Sequence, residues 1–198
     1  MSNRSMSEVP PPMHEQARGA KSPKPGASSA QDEGQIMINV FNSYNQNSIA
    51  IIICCDEYVN LPNLKYAVAD GRKLQALFKK VGGFETTILI NGQVLKQNIE
   101  AELAQVIRQY PYTRPTIGRL YIMLAGHGHE DAATGSSVFC CTDFDPNDAY
   151  NTSYPLKELK DKIQHIGIMH VAVHCDSCKG GGIFLGSRAV RDIPYNYV

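Results

Sequence analysis

Four short, apolar, β-prone runs recur along the chain, each separated from the next by a stretch of helical periodicity, and this alternation limits the fold more than any other feature. The runs are Ser48–Cys54 (Ser-Ile-Ala-Ile-Ile-Ile-Cys), Glu85–Ile90, Arg119–Ala125 and Ile168–His174. After a break at Leu61-Pro62-Asn63, a helix is expected from about Tyr66. Its Leu74, Leu77, Phe78 and Val81 fall at i, i+3, i+4 and i+7, and Gly82-Gly83 ends it. A second helix, about Val94 to Gln109, places Ile99, Leu103, Val106 and Tyr110 on one face. A third begins at Pro155 and carries Leu156, Leu159, Ile163 and Ile166. Ser137 to Thr142 adds a short strand. Strands alternating with helices at this spacing imply βαβ units: an α/β fold with a mostly parallel sheet and helices on both faces. In such sheets chemistry gathers at the carboxyl ends of the strands.

Residues 1–34 contain Val-Pro-Pro-Pro and Lys-Ser-Pro-Lys-Pro-Gly-Ala-Ser-Ser. That composition offers too little apolar surface to offset the entropy of ordering, so it reads as a disordered N-terminal arm. Order is expected from near Ile36, with 35–198 forming one domain. Lys+Arg and Asp+Glu both number 19, for a formal net charge of zero. No basic excess points to nucleic acid or an anionic membrane. The N-terminal residues lack the apolar stretch of a signal peptide, and no run approaches the roughly 20 apolar residues of a membrane span. The six cysteines fall as Cys54-Cys55, Cys140-Cys141 and Cys175/Cys178. Thiols inside or just after apolar runs fit a reducing, cytoplasmic setting better than a disulfide framework.

Two of the strands stop at reactive side chains. Tyr121-Ile-Met-Leu-Ala-Gly-His127-Gly128 delivers an imidazole between glycines. His170-Val-Ala-Val-His-Cys175-Asp176-Ser177-Cys178-Lys-Gly-Gly-Gly182 delivers a thiol. If the strands are parallel neighbours, nucleophile and base meet at one rim of the sheet. Thiolate is the nucleophilic form, and Lys179 with the glycines behind it suits an activated Cys178. His129, with one glycine before it, reads as an exposed, solvating group.

In this order, the motifs resemble those of the caspase/metacaspase/paracaspase clan of cysteine peptidases, and the chain is most similar to a metacaspase- or paracaspase-type large subunit. The resemblance runs from about Ser48 to Gly182. Ser-Ile-Ala-Ile-Ile-Ile-Cys with Leu61-Pro-Asn-Leu is similar to the clan's first strand and loop, and Ala67-Val-Ala-Asp70 leading to Gly-Gly-Phe84 to its next element. Leu-Ala-Gly-His-Gly and Cys-Asp-Ser-Cys resemble its histidine and cysteine motifs. The resemblance implies a caspase-like three-layer sandwich, His127 as general base and Cys178 as nucleophile. It also implies an oxyanion hole from the backbone N–H groups of Gly128 and Cys178. In metacaspase-like relatives, acids at the positions of Asp70 and Asp176 line the P1 pocket, implying cleavage of proteins and peptides after Arg or Lys. The chain departs from metacaspases in Lys179-Gly180-Gly181, where His-Ser-Gly is usual. No counterpart of the small-subunit half is expected in the sequence, so a small-subunit-like partner or self-association is a candidate.

Other chemistry competes for the same residues. Cys175-Asp-Ser-Cys178 is also a Cys-x-x-Cys, the mark of a redox dithiol or of a disulfide able to silence the nucleophile. Cys175 and Cys178 with two of His127, His129, Cys140 or Cys141 have zinc-ligand chemistry, but one Cys-x-x-Cys lacks a matching pair, so no metal site is assigned. No cofactor is required. Calcium is a candidate activator, because Asp143, Asp145 and Asp148 supply hard oxygens on one loop, although the loop lacks the glycine and closing glutamate of an EF-hand. A catalytically inactive interaction module is the remaining alternative.

Overall fold

The structure is a computed structural model that describes residues 46–131 and 134–178, together with residues 35, 37, 38 and 42. The N-terminal arm (1–34), Lys179 to Gly182 and the C-terminal stretch 188–198 lie outside the described residues. The elements in chain order are β1 (Ser48–Cys54), α1 (Ala67–Leu77), β2 (Glu85–Ile90), α2 (Lys96–Gln109), β3 (Thr116–Ala125), β4 (Gly128–Asp131), β5 (Ser136–Cys140), α3 (Ala149–Thr152), β6 (Ser153–Pro155), α4 (Leu156–Ile163) and β7 (Ile168–Asp176).

All seven residues of β1 are buried, because it is an inner strand covered on both faces, and a doubly covered strand reads as an unbroken apolar run. The main sheet has the order β2-β1-β3-β7, with every pair parallel. The carboxyl ends therefore lie along one rim. Cys54 pairs with Ala125 and Ala125 with Asp176, so these three residues form one row across the sheet.

Helices cover both faces. On one, Ala67, Val68, Leu74 and Phe78 pack onto Ile52, Cys54, Met123 and Ala125. The Asp56 carboxylate, at the end of β1, accepts from the first backbone amides of α1, Ala67 N–H at 2.9 Å and Val68 N–H at 3.2 Å. This satisfies donors that have no partner within the helix. A π-turn over Phe78–Gly82 follows α1, and Gly83, at φ 62°, closes it by donating to the Phe78 carbonyl. Leu77 does not join the core: it is 53% exposed. At about 100° per residue, the inward stripe is 67, 71, 74 and 78, and Leu77 lies roughly a quarter-turn off it.

On the opposite face, Ile99, Leu103, Val106 and Tyr110 of the α2 segment and Leu156 and Leu159 of α4 pack against Ile49, Ile51, Ile53, Leu120, Ile122 and Leu124. Here the expected face of α2 matches residue for residue. Ile166 is buried as expected but not from a helix. The helix ends at Ile163, and Ile166 reaches the core from the following loop through a bridge to Pro111.

A second, antiparallel sheet of order β4-β5-β6 extends from the rim. The β5 strand matches the expected short run to within two residues. The other two strands had no apolar signal: β4 is Gly-His-Glu-Asp and β6 is three residues long. Two main-sheet strands are longer than their apolar cores. β3 begins at Thr116, whose amide is held by the Gly167 carbonyl at 2.8 Å, and β7 continues to Asp176.

Candidate active site

β3 and β7 are adjacent and parallel, so the Gly-His-Gly and Cys-Asp-Ser-Cys segments leave the sheet side by side. The Gly126 amide continues the ladder to the Asp176 carbonyl at 3.2 Å. Beyond it, the backbone of Gly128 lies against Cys178. A Cβ built at Gly128 would overlap the Cys178 carbonyl and come within 3.1 Å of Ser177 Oγ. Glycine is needed here for close approach, not for backbone conformation, and the contact sets the backbone of the Gly-His-Gly segment against that of the Cys-Asp-Ser-Cys segment.

His127 is held at three points. Its amide donates to the Tyr58 hydroxyl at 2.8 Å. Its carbonyl accepts from the Cys140 amide at 2.9 Å. Its ring Nε2 lies 2.8 Å from the Pro62 carbonyl oxygen. A carbonyl can only accept, so Nε2 carries the proton and Nδ1 of the neutral ring is the basic nitrogen. The imidazole also stacks at a tilt on Tyr58, with centroids 4.8 Å apart.

The loop that supplies Pro62 is itself fastened. Asn91, at φ 45°, presents Oδ1 to the Asp56 amide at 2.9 Å. Tyr58 N–H donates to Asn63 Oδ1 at 3.0 Å, Val59 N–H to the Thr142 carbonyl at 2.9 Å, and Leu64 N–H to the Asp56 carbonyl at 2.8 Å. The Thr142 hydroxyl donates to the Glu57 carbonyl at 2.8 Å. The group facing His127 Nε2 is thus a backbone carbonyl in a cross-linked loop.

Residues 47–195 match the family described as the caspase domain. The chain belongs to the caspase-domain family of cysteine peptidases. No curated protein matches it. Among solved structures, protein GSU0716 from Geobacter sulfurreducens is similar in fold, with a TM-score of 0.54 at 16% identity over 67% of this chain and 50% of its own. The chain thus spans half the length of that protein.

Within this caspase domain the two motif cysteines differ. Cys178 is exposed, whereas Cys175 is half-buried, its Sγ 3.2 Å from Ser177 Oγ. Burial pushes the Cys175 thiol up from its ordinary range. Cys54, Cys55, Cys140 and Cys141 are buried outright. The Cys54 thiol is pushed up to about 12, first by burial and then by the carboxylates of Asp56 and Asp70, with smaller contributions from Cys55 and Asp176. Asp176 shares the Cys54–Ala125 row of the sheet, and Asp70 stands in the first turn of α1, the helix packed over Cys54. Both are exposed, and Asp70 is paired with Lys73 at 3.1 Å.

Four other candidates, His129, Asp143, Asp145 and Asp148, make other contacts. His129 is half-buried rather than exposed, with its ring 5.3 Å from that of Phe144, because β4 lays it over the small sheet. Asp145 caps the turn that follows it, accepting from Asn147 N–H at 2.8 Å, and Asp148 accepts from the Asn151 amide at 2.8 Å. Asp143 Oδ1 is buried without a hydrogen-bond partner among the described residues. Among those residues, no group of three or more His, Cys, Asp or Glu side chains is arranged to hold a metal ion. Nor is any helix among them long and apolar enough to cross a membrane.

Sequence reasoning missed Tyr58 and the carbonyl role of Pro62. Leu61-Pro62-Asn63 signals a break, but every residue has a carbonyl, and nothing in a side-chain pattern says which one will face an imidazole.

Proposed function

We propose that the chain is a cysteine endopeptidase that cleaves after Arg or Lys through a Cys178–His127 dyad. The observation that carries this reading is the tautomer of His127. With Nε2–H donated to the Pro62 carbonyl, Nδ1 is the ring nitrogen left to take a proton, on a segment that leaves the sheet beside the one carrying Cys178. His127 Nδ1 removes the Cys178 thiol proton, and the thiolate attacks the scissile carbonyl carbon. The developing oxyanion is received by the N–H groups of Gly128 and Cys178. The imidazolium then protonates the leaving amine as the C–N bond breaks, giving a thioester. Water, deprotonated by His127, hydrolyses it and restores the thiol.

The acidic end of the sheet supports the P1 preference. Asp176 lies in the row with Ala125 and Cys54, and Asp70 stands in the first turn of α1, which packs over Cys54. A P1 guanidinium or ammonium would replace Lys73 as the partner of Asp70. The buried, unpaired thiols fit a reducing compartment, and the cytoplasm is the assigned location. The reaction itself needs no cofactor; calcium enters as an activator to be tested, and a small-subunit-like chain or a second copy as a partner.

The test is hydrolysis of fluorogenic peptides with Arg, Lys or Asp at P1, with and without calcium, beside Cys178→Ala. Cleavage after Arg and Lys that Cys178→Ala abolishes is the expected result. Cleavage after Asp would contradict the roles of Asp70 and Asp176, and cleavage that survives Cys178→Ala would contradict the dyad.

A further inference from the structure

The geometry points to Tyr58 as the residue that positions His127, holding the imidazole so that Nε2 stays on the Pro62 carbonyl and Nδ1 is left as the basic nitrogen. This rests on the peptidase reading above and adds to it a residue that does not touch the substrate. Tyr58 contacts His127 twice. Its hydroxyl accepts the His127 amide at 2.8 Å, and its ring forms the surface on which the imidazole lies, at 4.8 Å and 55°. The same side chain is anchored at both ends. Its backbone N–H donates to Asn63 Oδ1 at 3.0 Å, on the loop that carries Pro62. Its neighbour Cys55 is tied to the same loop, its thiol donating to the Glu57 carbonyl at 3.2 Å. Tyr58 therefore links the backbone of His127 and its ring, through its side chain, to the Pro62 loop, through its own backbone.

Gly126 is shaped around this contact. A Cβ there would lie 2.5 Å from the Tyr58 hydroxyl and 3.2 Å from the Phe139 ring. The first glycine of Gly-His-Gly thus makes room for the tyrosine, while the second makes room for Cys178. Burial pushes the Tyr58 phenol up, so it remains a hydroxyl across the range in which a Cys/His pair works. Its effect on His127 is positional, not that of a titrating group.

The experiment compares the full chain with its Tyr58→Phe variant, which keeps the ring and removes the acceptor. Thermal melting confirms the fold, kcat and KM are measured on a P1-Arg peptide, and nitrogen-15 NMR reads the protonation of the His127 ring. The expected result is a kcat lowered roughly 10- to 100-fold with KM within about twofold, as for a mispositioned general base. The NMR should show the His127 ring passing from one tautomer, protonated at Nε2, to a mixture. A variant with unchanged kcat and the same single tautomer overturns the proposal. If the wild-type chain cleaves no peptide, the peptidase reading fails by itself, and the ring-nitrogen signal still decides the role of Tyr58. Should the variant not fold, amide exchange in the wild-type chain decides: a slowly exchanging His127 amide upholds the contact, and one as fast as a free loop amide overturns it.

Discussion

At the scale of single residues, the candidate site depends on close approaches that only glycine permits. Gly128 has no room for a Cβ, because the Cys178 carbonyl occupies that space. Gly128→Ala should therefore push the Cys178 segment away from Gly128 and, if the Gly128 N–H serves the oxyanion as proposed, reduce kcat/KM by roughly 10²- to 10³-fold, the loss typical of an oxyanion donor. The fold should persist, since β4 lies outside the main sheet, and steady-state kinetics beside a melting curve would show both. A variant with full activity would mean that Gly128 and Cys178 do not act together. The cysteines make a second prediction at this scale. Cys54 and Cys140, with thiols pushed up to about 12 by burial, present only about one part in 10⁴ as thiolate at pH 8. Brief alkylation of the native chain, read by peptide mass spectrometry, should mark Cys178 first and leave Cys54 and Cys140 intact until the chain is unfolded.

At the scale of elements, α1 carries a glycine in its interior where alanine would ordinarily favour the helix by about 1 kcal/mol. Packing reverses that preference. A Cβ on Gly71 would run into Cys54 Sγ and approach Ile52 Cγ2 to 3.2 Å, because this turn lies directly on β1. Gly71→Ala should thus destabilise by roughly 1–3 kcal/mol, the usual cost of overpacking. Combined with Cys54→Ala, it should cost less than the sum of the two single changes, since they share one contact. Denaturant unfolding of the four proteins tests this, and strict additivity would contradict the packing. The same contact explains why Leu77 was misread. Periodicity alone gives two adjacent stripes on this helix, and the tight approach at Gly71 selects the one through Ala67, Leu74 and Phe78.

At the scale of the whole molecule, the main sheet was legible because its strands are apolar runs bounded by turn residues, and its helices because one face of each is buried. The candidate dyad was legible because His127 and Cys178 follow neighbouring parallel strands. Of the small sheet only β5 was legible, since Gly-His-Glu-Asp of β4 pairs through its backbone and shows no apolar pattern, and β6 is three residues long. The Pro62 carbonyl and the Tyr58 contact were not, because both arise from the path of one loop across the rim. Burial of the thiols has a consequence for the entire fold. Above about pH 9 the unfolded chain releases thiol protons that Cys54 and Cys140 retain when folded, up to about pH 12. The unfolded state then binds fewer protons, so stability falls as pH rises through that window. The melting temperature should be lower at pH 10.5 than at pH 8, and a flat profile would contradict the burial.

The central claim, a Cys178 nucleophile served by His127, is tested most directly by covalent capture. The full chain would be treated under reducing conditions with a peptidyl fluoromethyl ketone bearing Arg at P1, and the adduct located by mass spectrometry. The account predicts one adduct, on Cys178, that is lost with Cys178→Ala and forms orders of magnitude more slowly with His127→Ala. An adduct on Cys175 instead, or labelling of Cys178 at the same rate without His127, would contradict it.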